Sequence, residues 1–559
     1  MKSVKLGIIL CCCIVVACTS SKSTLQKPQA ITTTFVKKQP LTKAEKQNWH
    51  LKDIYTDSIP GISLEKAYDF LNDKKGDTII VAVIDTGIGI DNEDFKGLIW
   101  VNKDEIPNNA VDDDQNGYID DINGWNFLQT EVGGDYRYSH YACMRYIKKY
   151  DLLFKGKKSE EIPSRQKKAF KEYLRAIKTY EKEKKDVEDD IAAYKRIKNK
   201  FIEVDSLLTE YFPQKKYTFS QVDSLSNISS DSLLKTELRF MKYYLKNNIN
   251  PKWADKRIQR ELKELNTILN FSFNERAKQG DNINDLNDFP YGNNNVQGTE
   301  KVNHGTKVVS ILAATRNNNM GIDGITNLVK ILPLCAAPYG NEHDKDIALA
   351  IRYAVDNDAK IINMSIGKEF SMHPTWLKEA IQYAEKNNVL IVSSAGNKSY
   401  NLDVEFDYPD DYDENGEYAK NFIKVGASSY KADSTLVWLS SNYSQKNVDI
   451  FAPGHKIYCQ SRKRTSYYSG TSYASPIVAG IAALIRSYYP NLSAVEVKEI
   501  ILASGISFDV DVVQPYPYGE KQPKDKIPFS SMSKSGKIVN AYNALLMAEE
   551  VSKKKKRKK

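Results

Sequence analysis

TIIVAVIDTGI, residues 78–88, is an unbroken apolar, β-branched run that ends at Asp85-Thr86-Gly87. A strand apolar on both faces is what a parallel sheet covered on both sides demands. Comparable runs recur at 329–337 (VKILPLCAA), 360–367 (KIINMSIG), 389–397 (VLIVSSAGN), 422–428 (FIKVGAS) and 448–454 (VDIFAPG). Helical spacing lies upstream at 61–71 and between several of the runs, at 344–358 and 374–388. Strands alternating with helices of this length predict an α/β fold, with a doubly wound, mainly parallel sheet and helices on both faces.

From about 140 to 275 the composition turns to Lys, Glu and Tyr and the β-rich runs stop. From Phe170 to Phe212 apolar or aromatic residues recur at alternating spacings of three and four, with Lys184, Lys198 and Asp205 as exceptions. This predicts one helix over 164–212, about 70 Å long and broken by Pro213. Amphipathic stretches at 220–247 and 252–271 can fold back on its seam as a helical hairpin or coiled-coil segment. The insertion is read as a packed hairpin, a lid or a partner-docking arm.

The whole excess of nine positive charges is accounted for by Lys2, Lys5 and the seven basic residues of 553–559. The body between them carries no formal charge, so no nucleic-acid partner is expected. Residues 1–17 have a Lys-bearing start and an apolar stretch from Leu6 to Val16, too short to span a membrane as a mature helix. They read as an export signal. VVAC at 15–18 resembles a bacterial lipobox, which implies lipidation of Cys18 and a polar tether running to Asn48; cleavage and secretion is the alternative. The location implied is the bacterial cell envelope, lipid-anchored outside the cytoplasm, at the outer membrane or the periplasmic face. Cys143, Cys335 and Cys459 show neither metal spacing nor a disulfide framework and are expected as small buried hydrophobes.

Three segments place a reactive side chain beside glycine: Asp85 in VIDTG, His304 in NHGTKV and Ser472 in SGTSYASP. Ser472 is expected to open a helix, with Pro476 in its first turn. In the chain order Asp, His, Ser, these segments resemble the subtilisin-like serine proteases, the S8-type subtilase family. The resemblance covers about 50–135 and 275–545 and omits the Lys-rich insertion. It implies a nucleophile, Ser472, a proton acceptor, His304, and Asp85 orienting the imidazole, with Asn397 of SSAGN in an oxyanion hole. It also implies that Ser365, Ile366 and Gly367 pair with an extended peptide, and that Ser394, Ala395 and Gly396 wall the subsite for the residue preceding the scissile bond (P1). Such small residues leave room for a large apolar P1 side chain.

DDDQNGYIDDIN, residues 112–123, has calcium-loop spacing, with Asp112, Asp114, Asn116 and Asp120 at ligand positions, and its surroundings also resemble a subtilase stretch. Asn123 stands where a bidentate Glu is usual. A structural Ca²⁺ site and a metal-free Asp/Asn turn network both remain open; the chemistry itself requires no cofactor. Lys307, Tyr473, Ser393 and Ser394 depart from the common family pattern without removing a reactive atom. The roughly 30 residues between Cys18 and Trp49 are too few for a folding prodomain.

The chain is thus expected to divide into a signal peptide (1–17), a tether (18–48), a peptidase domain (49–139 and 275–548), a helical insertion (140–274) and a basic tail (549–559). It reads as a membrane-anchored serine endopeptidase acting on protein or peptide substrates, with a narrow processing role as one version. A catalytically inactive binding or scaffold protein on the same fold is the alternative. The insertion leaves after the Asp85 strand and returns just before His304, so it should project from the rim of the active site.

Overall fold

The computed structural model describes residues 36–128, 138–277, 280–297, 303–517 and 519–557. A nine-stranded sheet forms its centre. In chain order the strands are β1 (Ile79–Asp85), β2 (Trp125–Asn126), β3 (Val329–Cys335), β4 (Ile361–Met364), β5 (Leu390–Ser394), β6 (Phe422–Ser428), β7 (Ile450–Pro453), β8 (Ile506–Ser507) and β9 (Lys537–Ile538). Across the sheet they run β8-β9-β7-β6-β5-β4-β1-β3-β2. Only the β8–β9 pair is antiparallel.

Each of the apolar runs is therefore a strand, and the sheet is covered on both faces. Val81 and Val83 of β1 enter one core, with residues of the helices His304–Ala313 and Thr471–Tyr488. Ala82 and Ile84 enter the other, with residues of Asp344–Asp356 and Pro374–Lys386. Alternation along the strand thus feeds two cores, and no polar face is needed. The strand order reverses at β1, which lies between β3 and β4. In open α/β sheets a ligand crevice lies outside the carboxyl ends at such a reversal. Asp85 is the last residue of β1.

The insertion is helical. One α-helix runs from Lys167 to Leu207, 41 residues or about 61 Å. Single 3₁₀ turns at Ser164–Gln166 and Leu208–Glu210 extend it. Two of the off-pattern seam residues are paired: Lys198 Nζ with Asp255 at 2.6 Å, and Asp205 with the Tyr217 hydroxyl at 2.6 Å. The amphipathic stretch at 220–247 forms two helices, Phe219–Ile228 and Ser232–Lys246. Asp231 caps the second by accepting from Leu233 N and Leu234 N. The stretch at 252–271 is helical over Pro251–Asn266. An additional helix, Ala142–Phe154, packs against the long one.

Two differences concern the ends. Residues 43–48, expected in the tether, form a short helix closed by a Thr42–Glu45 capping box, and the buried Trp49 indole donates to Lys456 O at 3.3 Å. The basic tail is not a free end throughout, because the last helix runs from Ala541 to Lys556 and Lys555 pairs with Glu496 at 2.7 Å. Cys18 and the export signal lie outside the described residues. Among the described residues no helix is long and apolar enough to cross a membrane. Cys143, Cys335 and Cys459 are buried free thiols.

Candidate active site

Asp85 is fully buried at the end of β1, and its Oδ1 accepts from Thr86 N at 2.6 Å and faces His304 Nδ1 at 2.7 Å. The chain brings together residues 219 positions apart by stitching two glycine-bearing turns to each other. Gly305 N donates to Thr86 Oγ1 at 2.9 Å, and Gly89 N donates to Thr306 Oγ1 at 2.9 Å. A Cβ at position 305 would lie 2.7 Å from Thr86 O, so only glycine lets the helix His304–Ala313 start this close to the strand end. His304 is its first residue and stays partly exposed, with Nδ1 turned to Asp85.

Ser472 lies in the first turn of the helix Thr471–Tyr488. Pro476 falls in the second turn rather than the first, so its missing N–H would leave Ser472 O without the usual i+4 donor. Ser365 Oγ supplies one at 2.9 Å and also meets Ser475 Oγ at 2.9 Å. The Ser472 hydroxyl donates to Ser365 O at 3.3 Å, and among the described residues no hydrogen bond joins it to His304. Asn397 Oδ1 accepts from Thr471 N at 2.8 Å and Thr471 Oγ1 at 2.9 Å. Its carbonyl is thereby held, which turns the amide N–H₂ outward. Together with the Ser472 N–H, unbonded among the described residues, it offers two donors beside the Ser472 hydroxyl.

A cavity of about 410 Å³ opens next to Ser472. Ser365, Ile366 and Gly367 form one wall, Ser394 and Gly396 the other. Ala395 is not in this wall: it points to the opposite side of the strand end, into a core with Leu402 and Leu436. The backbone N–H and C=O of Gly367 make no hydrogen bond among the described residues, which leaves an edge for an extended peptide. The apolar character expected of the pocket is not present. Glu342, Lys368, Glu369, Lys398 and Asp407 line it, and Tyr141, Cys143, Thr179 and Glu183 of the insertion close it from above. No motif marks these residues; chain segments far apart in sequence bring them together.

The acidic loop also differs from its spacing. Asp112 spends both oxygens on Asn116 N and Gly117 N, and Asp120 spends its own on Asn109 N and Ala110 N. Asn116 donates its amide to Asp114 and Asp121 at 3.0 Å each. Of the three carboxylates expected as ligands only Asp114 joins a convergent set, with Glu105 and Asp121, whose oxygens lie within 4.8 Å of one another; Asn116 stays beside that set through its amide. Asp120 sits at a left-handed backbone (φ 53°), and the buried Asp121 next to it takes the place beside Glu105 and Asp114. Burial raises the carboxyl pKa of Glu105 and Asp121. Three hard oxygen donors suit Ca²⁺ in kind and fall short of its six to eight ligands unless backbone carbonyls and waters complete the shell.

A model of the subtilase family matches residues 76–519, most of the chain and all of the residues just described from Asp85 to Ser472. The chain belongs to the subtilase family. Its curated relatives include a thermophilic serine proteinase of Bacillus sp. (strain AK1), 38% identical over 202 residues that make up 36% of this chain and 46% of that protein. A cell wall-associated protease of Bacillus subtilis (strain 168) is 34% identical over 39% of this chain and 23% of its own length. Subtilisin DY of Bacillus licheniformis is 33% identical over 36% of this chain and 69% of its own. The matched part of this subtilase thus spans less than half the length of the first two relatives.

Proposed function

We propose that this subtilase is a serine endopeptidase in which Asp85, His304 and Ser472 act as the triad. The 2.7 Å contact between Asp85 Oδ1 and His304 Nδ1, beside a serine at a helix start, carries the reading. In this reading the Ser472 hydroxyl leaves Ser365 O and turns to the ring nitrogen of His304 that does not face Asp85. The hydroxyl oxygen attacks the peptide carbonyl while that nitrogen accepts its proton, and the Asp85 carboxylate holds the imidazole in the tautomer that can do so. The tetrahedral oxyanion receives donors from the Asn397 side chain and the Ser472 N–H. Collapse transfers the proton to the leaving amine and leaves an acyl ester on Ser472. A water then attacks that ester, giving its proton to His304, which returns it to Ser472.

The peptide is read as an added strand on Gly367, and the insertion as a roof that limits access. Arg175 of the long helix donates to Glu369 O at 2.9 Å and stacks 3.8 Å from the Phe370 ring centre. Glu183 binds Lys398, the residue after Asn397, at 2.9 Å. A cation on Glu105, Asp114 and Asp121 would stabilise the loop by neutralising carboxylates that have no ammonium or guanidinium partner among the described residues. Lipidation at Cys18 would hold the enzyme on the outside of a bacterial membrane, and a protein partner for the distal insertion belongs to the same reading. The test is hydrolysis of an unfolded protein by the full chain. Turnover that His304→Ala abolishes is expected; a well-folded chain without turnover favours a binding or scaffold protein.

A further inference from the structure

The cavity beside Ser472 is lined by more acidic than basic side chains. Four carboxylates line it, Glu183, Glu342, Glu369 and Asp407, against two ammonium groups, Lys368 and Lys398. Both ammonium groups are already committed. Lys368 pairs with Asp344 at 2.6 Å, and Lys398 bridges Glu183 and Glu369. Glu342 and Asp407 are left. Both are more than nine-tenths buried, and Glu342 Oε2 and Asp407 Oδ1 have no hydrogen-bond partner among the described residues.

Asp407 stands where the two walls meet. A Cβ at Gly367 would lie 2.7 Å from its Oδ1, and a Cβ at Gly396 would lie 2.6 Å from its Oδ2. Glycine on both walls is therefore what admits the carboxylate to the cavity floor. Its one nearby cation, Lys424 of β6, is 3.6 Å from Oδ1 and donates to the Asp407 backbone carbonyl instead. Buried carboxylates in this state are costly until a cation with hydrogen-bond donors joins them.

We infer that this cavity is the P1 subsite and takes a lysine or arginine side chain, with Asp407 the specificity-determining residue at its floor and Glu342 a second acceptor. The inference rests on the endopeptidase reading. An ammonium supplies three donors and a guanidinium a planar fork, each able to reach two carboxylates. An apolar P1 side chain of the same size would bury those carboxylates deeper and give them nothing. Glu183 of the insertion lies on the rim, so the same charge also favours entry of basic segments.

The test is kcat/KM of the full chain on peptides identical except at P1, carrying Lys, Arg, Phe, Leu or Glu. Lys and Arg are expected to exceed Phe and Leu by about a hundredfold, the size of two charge-assisted hydrogen bonds lost. Asp407→Asn should cut the Lys-to-Phe ratio at least about tenfold, and Glu342→Gln should cut it by less. Phe or Leu matching Lys in the parent overturns the inference, as does an unchanged ratio in a folded Asp407→Asn. Because the parent ratio needs no variant, a misfolded Asp407→Asn does not remove the test. If no peptide is cleaved and no fluorophosphonate labels Ser472, the endopeptidase reading fails first and takes this inference with it. Labelling together with apolar preference defeats the inference alone.

Discussion

The helix that carries Ser472 and the long helix of the insertion are built on different physics. Of the 18 residues of Thr471–Tyr488, 16 are buried; of the 41 residues of Lys167–Leu207, six are. The first is clamped by both the sheet and its neighbours, and its side chains have no freedom to spare. The second is held by a narrow seam and by exposed ion pairs such as Lys185 with Asp189 and Lys200 with Glu203. Ion pairs of this kind contribute little each, about 0–1 kcal/mol. The body can therefore fix atoms to the tolerance that acyl transfer needs. The insertion can shift on its seam while keeping its helices.

Variants that touch the clamped region should have the largest effects. Asp85→Asn keeps the contact with His304 and favours the wrong tautomer, so kcat on a peptide should fall about 10⁴-fold with KM little changed. Asn397→Ala removes one oxyanion donor and should lower kcat about 10²–10³-fold in the same assay. Core deletions sharpen the contrast. Ile477→Ala in the Ser472 helix should cost about 2–5 kcal/mol in denaturant unfolding and lower activity in step. Leu238→Ala, in the separate distal cluster of the insertion, should melt that lobe early and leave short-peptide turnover in place.

The acidic pocket carries a pH signature. Burial pushes Glu342 up to about 7. A carboxyl whose folded pKa is raised supports the fold fully below about 4.5, and that support is lost as pH rises towards 7. Glu342→Gln should therefore gain thermal stability relative to the parent between pH 4 and 7; a constant difference across that window contradicts the assignment. The smallest effect is expected at the roof. Glu183→Gln weakens the contact with Lys398 at a cost of about 0–1 kcal/mol, and should change KM for folded proteins several-fold and KM for short peptides with a basic P1 residue by less.

The sequence was legible where function needs a local signature. Asp-Thr-Gly, His-Gly-Thr and Ser-Gly-Thr-Ser each mark a turn in which a side chain and a glycine must be neighbours, and the fold joins the first two through Thr86, Gly89, Gly305 and Thr306. The apolar runs gave every central strand because a doubly covered sheet leaves no polar alternation to misread. Asp407 was not legible: its role depends on Gly367 and Gly396 meeting over it, a tertiary coincidence ten residues past Asn397. Glu105 and Asp121 escaped the calcium-loop spacing because backbone conformation, not spacing, decides which carboxylates converge. Pro476 looked like a first-turn proline, and only the Ser365 hydroxyl shows how the helix tolerates it one turn later. The Ala142–Phe154 helix lay within reach of the same reading, since its packed residues Cys143, Ile147, Tyr150 and Phe154 recur at spacings of four, three and four.

The central claim is that Ser472 is a nucleophile activated by His304. It is tested most directly by treating the full chain with a fluorophosphonate and mapping the adduct by peptide mass spectrometry. A single adduct on the peptide containing Ser472, absent from Ser472→Ala and strongly reduced in His304→Ala, is the predicted result. A folded parent that takes up no label, or takes it at another residue, would contradict the account.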